Sequence, residues 1–391
     1  MKSIYDYKRL GHSFKKKKSF KVSAFQIREH YKHQPITVSP KTLLIVRFDH
    51  TGDYILFRNF LSDVRSSSRF GDHHITLAGN AAFKELAEHL DHEIIDEFFW
   101  INRQRFQEDK FYNFQMLKGL NARGFSTVIH PTFSRDFYSD MLVNATQAPE
   151  RIGSQGDLTN ISKERKKTTD LFYTQLLPAS PKLFFEFDRN REFFKSLLGV
   201  TSDSKCPMIE TRNLASPNLP FNNYCVLFPG ASTRRKRWPA TYFIEISNYL
   251  NQKYKLASVL CGQGSDREAI DQIYPHLGHD NVINLLNKTS IVTLAGVLKN
   301  ASLLVSNDTL AVHLMAALGG SVVCVTAGNH LARFNRYPEP CSKRVRFVFP
   351  PHIDLLSDRE RLSHTSRYRD NDTLEGITAE RIVQEIDRVL S

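Results

Sequence analysis

Short apolar runs alternate along this chain with stretches whose apolar positions recur every three or four residues. Leu43 to Val46 reads as a buried strand, and Tyr54, Phe57, Leu61 and Val64 then mark one face of a helix. Ile75–Leu77 and Ile94–Ile95 read as short strands, Ala81–Leu90 as a helix, and residues 125–132 as a strand that ends in polar residues. A helix over 191–199 closes at Gly199, and a stretch rich in Pro, Ser and Asn follows. The pattern then restarts, with strands at 224–228, 256–260, 302–306 and 321–326 and helices from Ala240 to Asn251 and over 289–300. Near the end, Ile382, Val383, Ile386, Val389 and Leu390 share one helical face, which predicts a helix packed onto a domain.

This alternation predicts an α/β protein made of two open parallel units. The expected boundaries are an N-terminal extension over 1–42, a first unit over 43–200, a linker over 201–221, a second unit over 222–370 and a terminal helix over 371–391. Charge sharpens the first boundary. Residues 1–41 hold 11 Lys or Arg against Asp6 and Glu29, a net of +9, which leaves +3 for the other 350 residues. Two readings of Lys15–Lys18 stand: a solvated tail, or adhesion to an anionic membrane surface. Nucleic acid is disfavoured, because no basic stripe continues downstream. No run approaches the length of a membrane span, and the start lacks the apolar stretch of a secretory signal. The five cysteines show no metal spacing. Cys225, Cys261 and Cys324 lie in apolar runs and read as core thiols, which fits a reducing cytoplasm.

In open parallel sheets, ligands bind beyond the carboxyl ends of the strands. Five polar clusters follow strands here: Asp49–Asp53, His130–Arg135, Ser232–Lys236, Gly262–Asp266 and Asn307–His313. The loop PGASTRRKRWP (229–239) combines small residues, the hydroxyls of Ser232 and Thr233, and four cations ahead of a helix N-terminus. That is the chemistry of a phosphate site. Asn307, Asp308 and Thr309 stand between strand and helix, where one of them caps the helix and the free amides could meet the same anion.

These pieces, Gly52-Asp53, Pro229–Pro239, Gly262–Asp266, Lys288–Ala301 and Asp308–Leu314 (D-T-x3-H-L), together resemble the ADP-heptose lipopolysaccharide heptosyltransferases of glycosyltransferase family 9. The resemblance covers about residues 43–330 plus the final helix and is stronger in the second half. It implies a GT-B architecture, two Rossmann-like domains with a cleft between them and the nucleotide sugar mainly on the second. By position, Asp53 resembles the catalytic carboxylate and Lys236 the diphosphate-binding lysine. Ser232 corresponds to a hydroxyl near the phosphates, beside Thr233. Asp266 falls where an acid meets the ribose, and Asp308 and Thr309 fall at the sugar and phosphate end. The chain departs from the pattern with Leu310 where a glycine is usual, with Asp49-His50 ahead of the first helix, and with its basic extension.

The resemblance implies an inverting transfer of a heptose-like sugar from a nucleotide-diphosphate donor to a lipopolysaccharide or other envelope glycan. Asp53 would act as base on the acceptor hydroxyl, with Asp49 as rival, and Lys236, helped by Arg234 or Arg237, would hold the leaving diphosphate. Asp49, His50, His130 and Arg135 are the acceptor-side candidates. No metal and no cofactor are expected, since Asp370-Asn371-Asp372 reads as a turn. The expected location is the cytoplasm, at the inner face of the membrane. Two other readings remain, a non-catalytic nucleotide-sugar module and a GT-B enzyme for another sugar nucleotide.

Overall fold

Leu43 to Val46 are wholly buried because both faces of their sheet are covered, which is why the run is continuously apolar rather than alternating. A computed structural model describes residues 36–391 apart from 183, 329, 330, 332, 336, 357–359 and 361–373. The stretch through residue 35 and Asp370-Asn371-Asp372 therefore lie outside the described residues.

The first half carries β1 (Ser39–Arg47), β2 (His74–Asn80), β3 (Glu97–Ile101), β4 (Phe125–His130), β5 (Glu150–Ser154) and β6 (Gln175–Leu177). The second carries β7 (Tyr224–Phe228), β8 (Ala257–Leu260), β9 (Val282–Asn284), β10 (Leu303–Asn307), β11 (Val322–Val325) and β12 (Val345–Val348). Their orders are β3-β2-β1-β4-β5-β6 and β12-β11-β10-β7-β8-β9. All pairs are parallel; Leu44 lies beside Val128, and Phe228 beside Ser306. Strand order reverses between β1 and β4 and between β7 and β10, and each reversal opens a crevice at the strand ends.

The helices that matter for the site are α1 (Thr51–Phe57), α2 (Phe60–Ser66), α3 (Lys84–Leu90), α4 (Phe137–Thr146), α5 (Glu186–Leu198), α6 (Ala240–Tyr254), α7 (Ile291–Lys299), α8 (Leu310–Ala317) and α9 (Ala379–Leu390). Helix α5 ends as expected at Gly199, whose φ of +74° suits the left-handed terminus. Helix α9 buries Ile382 and Ile386 against the second half, where it packs on α6. The halves are not separate cores. One apolar cluster runs from Phe57, Phe60, Phe187 and Phe194 into Leu294, Leu314 and Met315. At this joint α1 packs on α8 and α3 on α7.

Several boundaries move. β1 starts at Ser39, whose N–H donates to the carbonyl of Gly124 at 2.8 Å, so sheet begins before residue 43. Ile94 and Ile95 form a turn, and the edge strand is Glu97–Ile101 instead, with half-buried aromatics. The linker is a packed strap. Ile209 and Leu214 join the shared core, and Met208 O accepts from Arg58 Nη1 at 2.8 Å and Asn59 Nδ2 at 2.9 Å. Cys225, Cys261 and Cys324 are buried thiols as expected, whereas Cys206 and Cys341 form a disulfide that ties the strap to the turn before β12. The sequence pattern assigns no role to either of these two cysteines.

Candidate active site

Arg47 ends β1 as a fully buried cation and organises everything after it. Its Nη2 donates to the carbonyl of Asp53 at 3.2 Å and meets Asp49 Oδ2 at 2.9 Å; Nη1 donates to Asn190 Oδ1 at 3.2 Å. Glu186 Oε1 lies 3.5 Å away, and the guanidinium sits over the Phe57 ring. The stretch 48–53, the loop and the first turn of α1, is thus pinned from below. Sequence reasoning missed Arg47; the available signal was a lone cation ending a wholly apolar strand. Asp53, third residue of α1, accepts the His50 N–H at 3.2 Å, so it does cap its helix, and its half-buried carboxylate also lines a cavity of 480 Å³. Asp49 and His50 line the same cavity. Burial pushes Asp49 up to about 7; Arg47 opposes the rise, and Asp53 and Glu186 add to it.

His130 and Arg135 do not reach this cavity. Both are buried in a closed web: Tyr173 Oη bonds to His130 Nδ1 at 2.7 Å and to Asp140, while Arg135 pairs with Asp140 at 3.2 Å and with Asp170. Burial lowers the His130 pKa, and the Arg135 guanidinium stacks on Tyr173. A strand end beside the sheet reversal is as deep as it is central, so its charges pair among themselves. The neighbours Thr132 and Ser134 face the cavity instead.

In the second half, Asn307 holds the phosphate-type loop. Its Nδ2 donates to Pro229 O at 2.7 Å, and its Oδ1 accepts from the Trp238 N–H at 3.0 Å. The Trp238 indole is buried and donates to Ile377 O at 2.7 Å, so both ends of the loop are fixed. Gly230 is required by close approach, since a Cβ there would lie 2.1 Å from the Asp266 carboxyl carbon. Asp266 is buried and accepts the Gln263 N–H at 2.9 Å, so its carboxylate braces the loop floor. Ser232 and Thr233 are exposed. Lys236 is half-buried and, with Asp308, sets the field at Cys324 near the end of β11. Arg237 pairs with Glu268 at 2.8 Å and Arg234 with the same carboxylate at 3.6 Å, so one acid engages both cations. Thr309 is the cap of α8, with its hydroxyl accepting the Ala311 N–H at 3.3 Å. Leu310 is half-buried against the shared core.

The halves meet at Gly52. A Cβ on it would come within 2.9 Å of the His313 ring, so the glycine lets α8 press against the mouth of α1. His313 is buried, bonds Tyr337 Oη through Nδ1 at 2.7 Å, and feels both Asp308 and Asp53. Burial lowers its pKa. The charges of Asp308 and Asp53, one from each half, oppose that lowering. Arg333 and Phe334 of the second half complete the cavity wall. Among the described residues no group of three or more His, Cys, Asp or Glu side chains is placed to hold a metal ion.

Two parallel α/β domains whose strand-order reversals face each other across a seam define the GT-B class of glycosyltransferase fold. Within that class, the chain belongs to glycosyltransferase family 9 (heptosyltransferase), whose sequence model matches residues 114–364. The matched span holds Lys236, Asp266 and Asp308 and leaves out Asp49–Asp53. The chain is 23% identical over 229 residues to lipooligosaccharide heptosyltransferase 2 of Campylobacter jejuni subsp. jejuni serotype O:6, covering 55% of this chain and 70% of that protein. Its fold is similar to that of a family 9 glycosyl transferase from Veillonella parvula DSM 2008, with a TM-score of 0.67 at 18% identity over 91% of this chain and 99% of the other. E. coli heptosyltransferase WaaC with ADP gives 0.64 at 18% identity over 89% and 99%. Among the described residues no helix is long and apolar enough to cross a membrane.

Proposed function

We propose that the protein moves a heptose-type sugar from a nucleotide-diphosphate donor to a lipopolysaccharide or related envelope glycan, with inversion and without a metal. The observation that carries this reading is the seam itself. Gly52, next to Asp53, lies against His313 of α8, the helix that starts just after Asp308, and the Lys236 loop follows the neighbouring strand β7. The donor lies along the second half. Its diphosphate meets Lys236, the exposed hydroxyls of Ser232 and Thr233, and the amides that open α8. Solved relatives in this family hold ADP and ADP-2-deoxy-2-fluoro heptose, which supports ADP as the nucleotide.

The acceptor sugar lies in the 480 Å³ cavity, where Phe48, Phe137 and Tyr138 offer ring faces and Thr132 and Ser134 offer hydroxyls. Asp53 takes the proton from the acceptor hydroxyl as that oxygen attacks the anomeric carbon from the face opposite the diphosphate. The C–O bond to the diphosphate breaks, and Lys236 meets the charge that grows there. Asp53 suits the role of base better than Asp49, whose carboxylate is pinned to the buried Arg47.

Thermal-shift titration with ADP-, GDP- and UDP-sugars, then transfer with the best donor and NMR of the product anomer, tests this reading. Retained configuration, or a rate abolished by a chelator, overturns the mechanism; nucleotide binding with no transfer to any glycan leaves a binding module. Residues 1–41 are proposed to hold the enzyme at anionic lipid, and binding to phosphatidylglycerol vesicles unchanged by their deletion refutes that.

A further inference from the structure

We propose that Arg333, supplied by the nucleotide half, is an acceptor-binding residue whose position in the first half's cavity is set by occupancy at Asp308. This rests on the reading above, in which donor and acceptor meet at the seam.

The residues after β11 are anchored on the nucleotide side. Thr326 Oγ1 and Asn335 Nδ2 donate to Asp308 Oδ2 at 3.3 and 3.4 Å, and Asn335 Nδ2 also donates to Thr326 Oγ1 at 3.0 Å. Tyr337 holds His313. Arg333 leaves that half altogether. Its Nε donates to Glu186 Oε2 at 2.8 Å and its Nη1 to Ser134 Oγ at 2.8 Å, while its carbonyl accepts the Glu186 N–H at 2.8 Å. Glu186 is itself wholly buried and shared with Arg47, so one carboxylate serves two guanidiniums. Arg333 and Phe334 are nonetheless part of the wall that holds Asp53 and Ser134.

Two features separate this from a simple structural brace. A guanidinium fixed along its Nε and Nη1 has its remaining donors aimed with little freedom, and Arg333 Nη2 makes no hydrogen bond among the described residues. On the donor side, Asn335 Oδ1 is buried and has no hydrogen-bond partner. Such an atom costs free energy until something donates to it. A donor sugar hydroxyl that engages Asp308 and Asn335 changes the bonds holding this stretch and so the place of Arg333. The ligand class for Nη2 is a ring or hydroxyl oxygen, or a carboxylate, of the acceptor glycan. The donor half thereby completes the acceptor site.

The test uses the full chain with ADP-, GDP- and UDP-sugars as probes, reading affinity by calorimetry and hydrogen exchange over residues 132–139. In the native protein, the nucleotide sugar that binds should slow exchange there by about fivefold or more, the low end of coupling between linked sites. Arg333→Gln should bind that nucleotide sugar within about twofold and lose the slowing, and Asn335→Ala, which removes a proposed contact to the sugar, should lose the slowing even when saturated. Asn335→Ala leaves the Glu186 ion pair intact, which guards against a mere folding defect. In turnover, Arg333→Gln should raise the acceptor KM about tenfold with the donor KM unchanged, and Arg333→Lys should recover part of it. Slowing that persists in either variant, no slowing in the native protein with the nucleotide sugar bound, or loss of its affinity in Arg333→Gln overturns the proposal. If none of the three nucleotide sugars binds the native protein, the donor reading fails first and takes this inference with it.

Discussion

At the end of β4, His130 and Arg135 disappear into a web with Tyr173 and Asp140. At the end of β7, the residues from Ser232 to Arg235 stand exposed on a loop whose two ends are bolted down by Asn307 and Trp238. Both are polar clusters after strands beside a sheet reversal. One has spent its charges on itself and stiffens the fold; the other leaves the hydroxyls of Ser232 and Thr233 exposed. Polarity at a strand end is thus a statement about depth first and chemistry second. The difference predicts that substitutions in the first web lower stability, whereas those in the second loop lower activity.

The sharpest test of the seam is Asp53→Asn, which should cut kcat by about 10²- to 10⁴-fold while nucleotide affinity is kept, measured by product release and calorimetry. A full rate would move the base elsewhere. Arg135→Met should lower unfolding free energy by about 3–5 kcal/mol, because it leaves the buried Asp140 carboxylate without its guanidinium, and kcat per folded molecule should hold. A urea midpoint that stays put while kcat collapses would break the contrast between the two clusters. Lys236→Ala should reverse that pattern, with a loss of about 10²- to 10³-fold in kcat/KM and a melting temperature close to the native one.

Asp49→Asn gives a smaller, pH-dependent effect. The folded-state pKa of Asp49 is about 7, above its unfolded value, so the stability from binding that proton is complete at low pH and is lost as pH rises through 7. The amide of the variant cannot titrate, and the melting-temperature difference, variant minus native, should therefore grow from about pH 5 to about pH 8. Last, Arg235→Ala on the exposed face of the loop should change stability by no more than about 0.5 kcal/mol.

Much of this was legible in order along the chain. The strands β1, β2, β4, β7, β8, β10 and β11, the helix closed by Gly199, the terminal helix over α6 and the Lys236 loop all come from contiguous residues. The edge strand Glu97–Ile101 was not, because half-buried aromatics at a sheet edge carry neither a clean alternation nor a solid apolar run. The strap from 201 to 221 reads as a loop by composition and is one in backbone, yet Ile209 and Leu214 bury in the shared core. Its packing depends on partners far away in the chain.

Local pattern alone determined the fold class, the paired parallel units and the phosphate-type loop, since strand and helix periodicity and glycine placement are properties of neighbours in sequence. Tertiary structure decided which charges remain available. Arg47, Asp49 and Asp53 come from one stretch of the chain and Glu186 and Arg333 from two others, and the depth of each, with the partner that neutralises it, exists only once the two sheets have closed on one core.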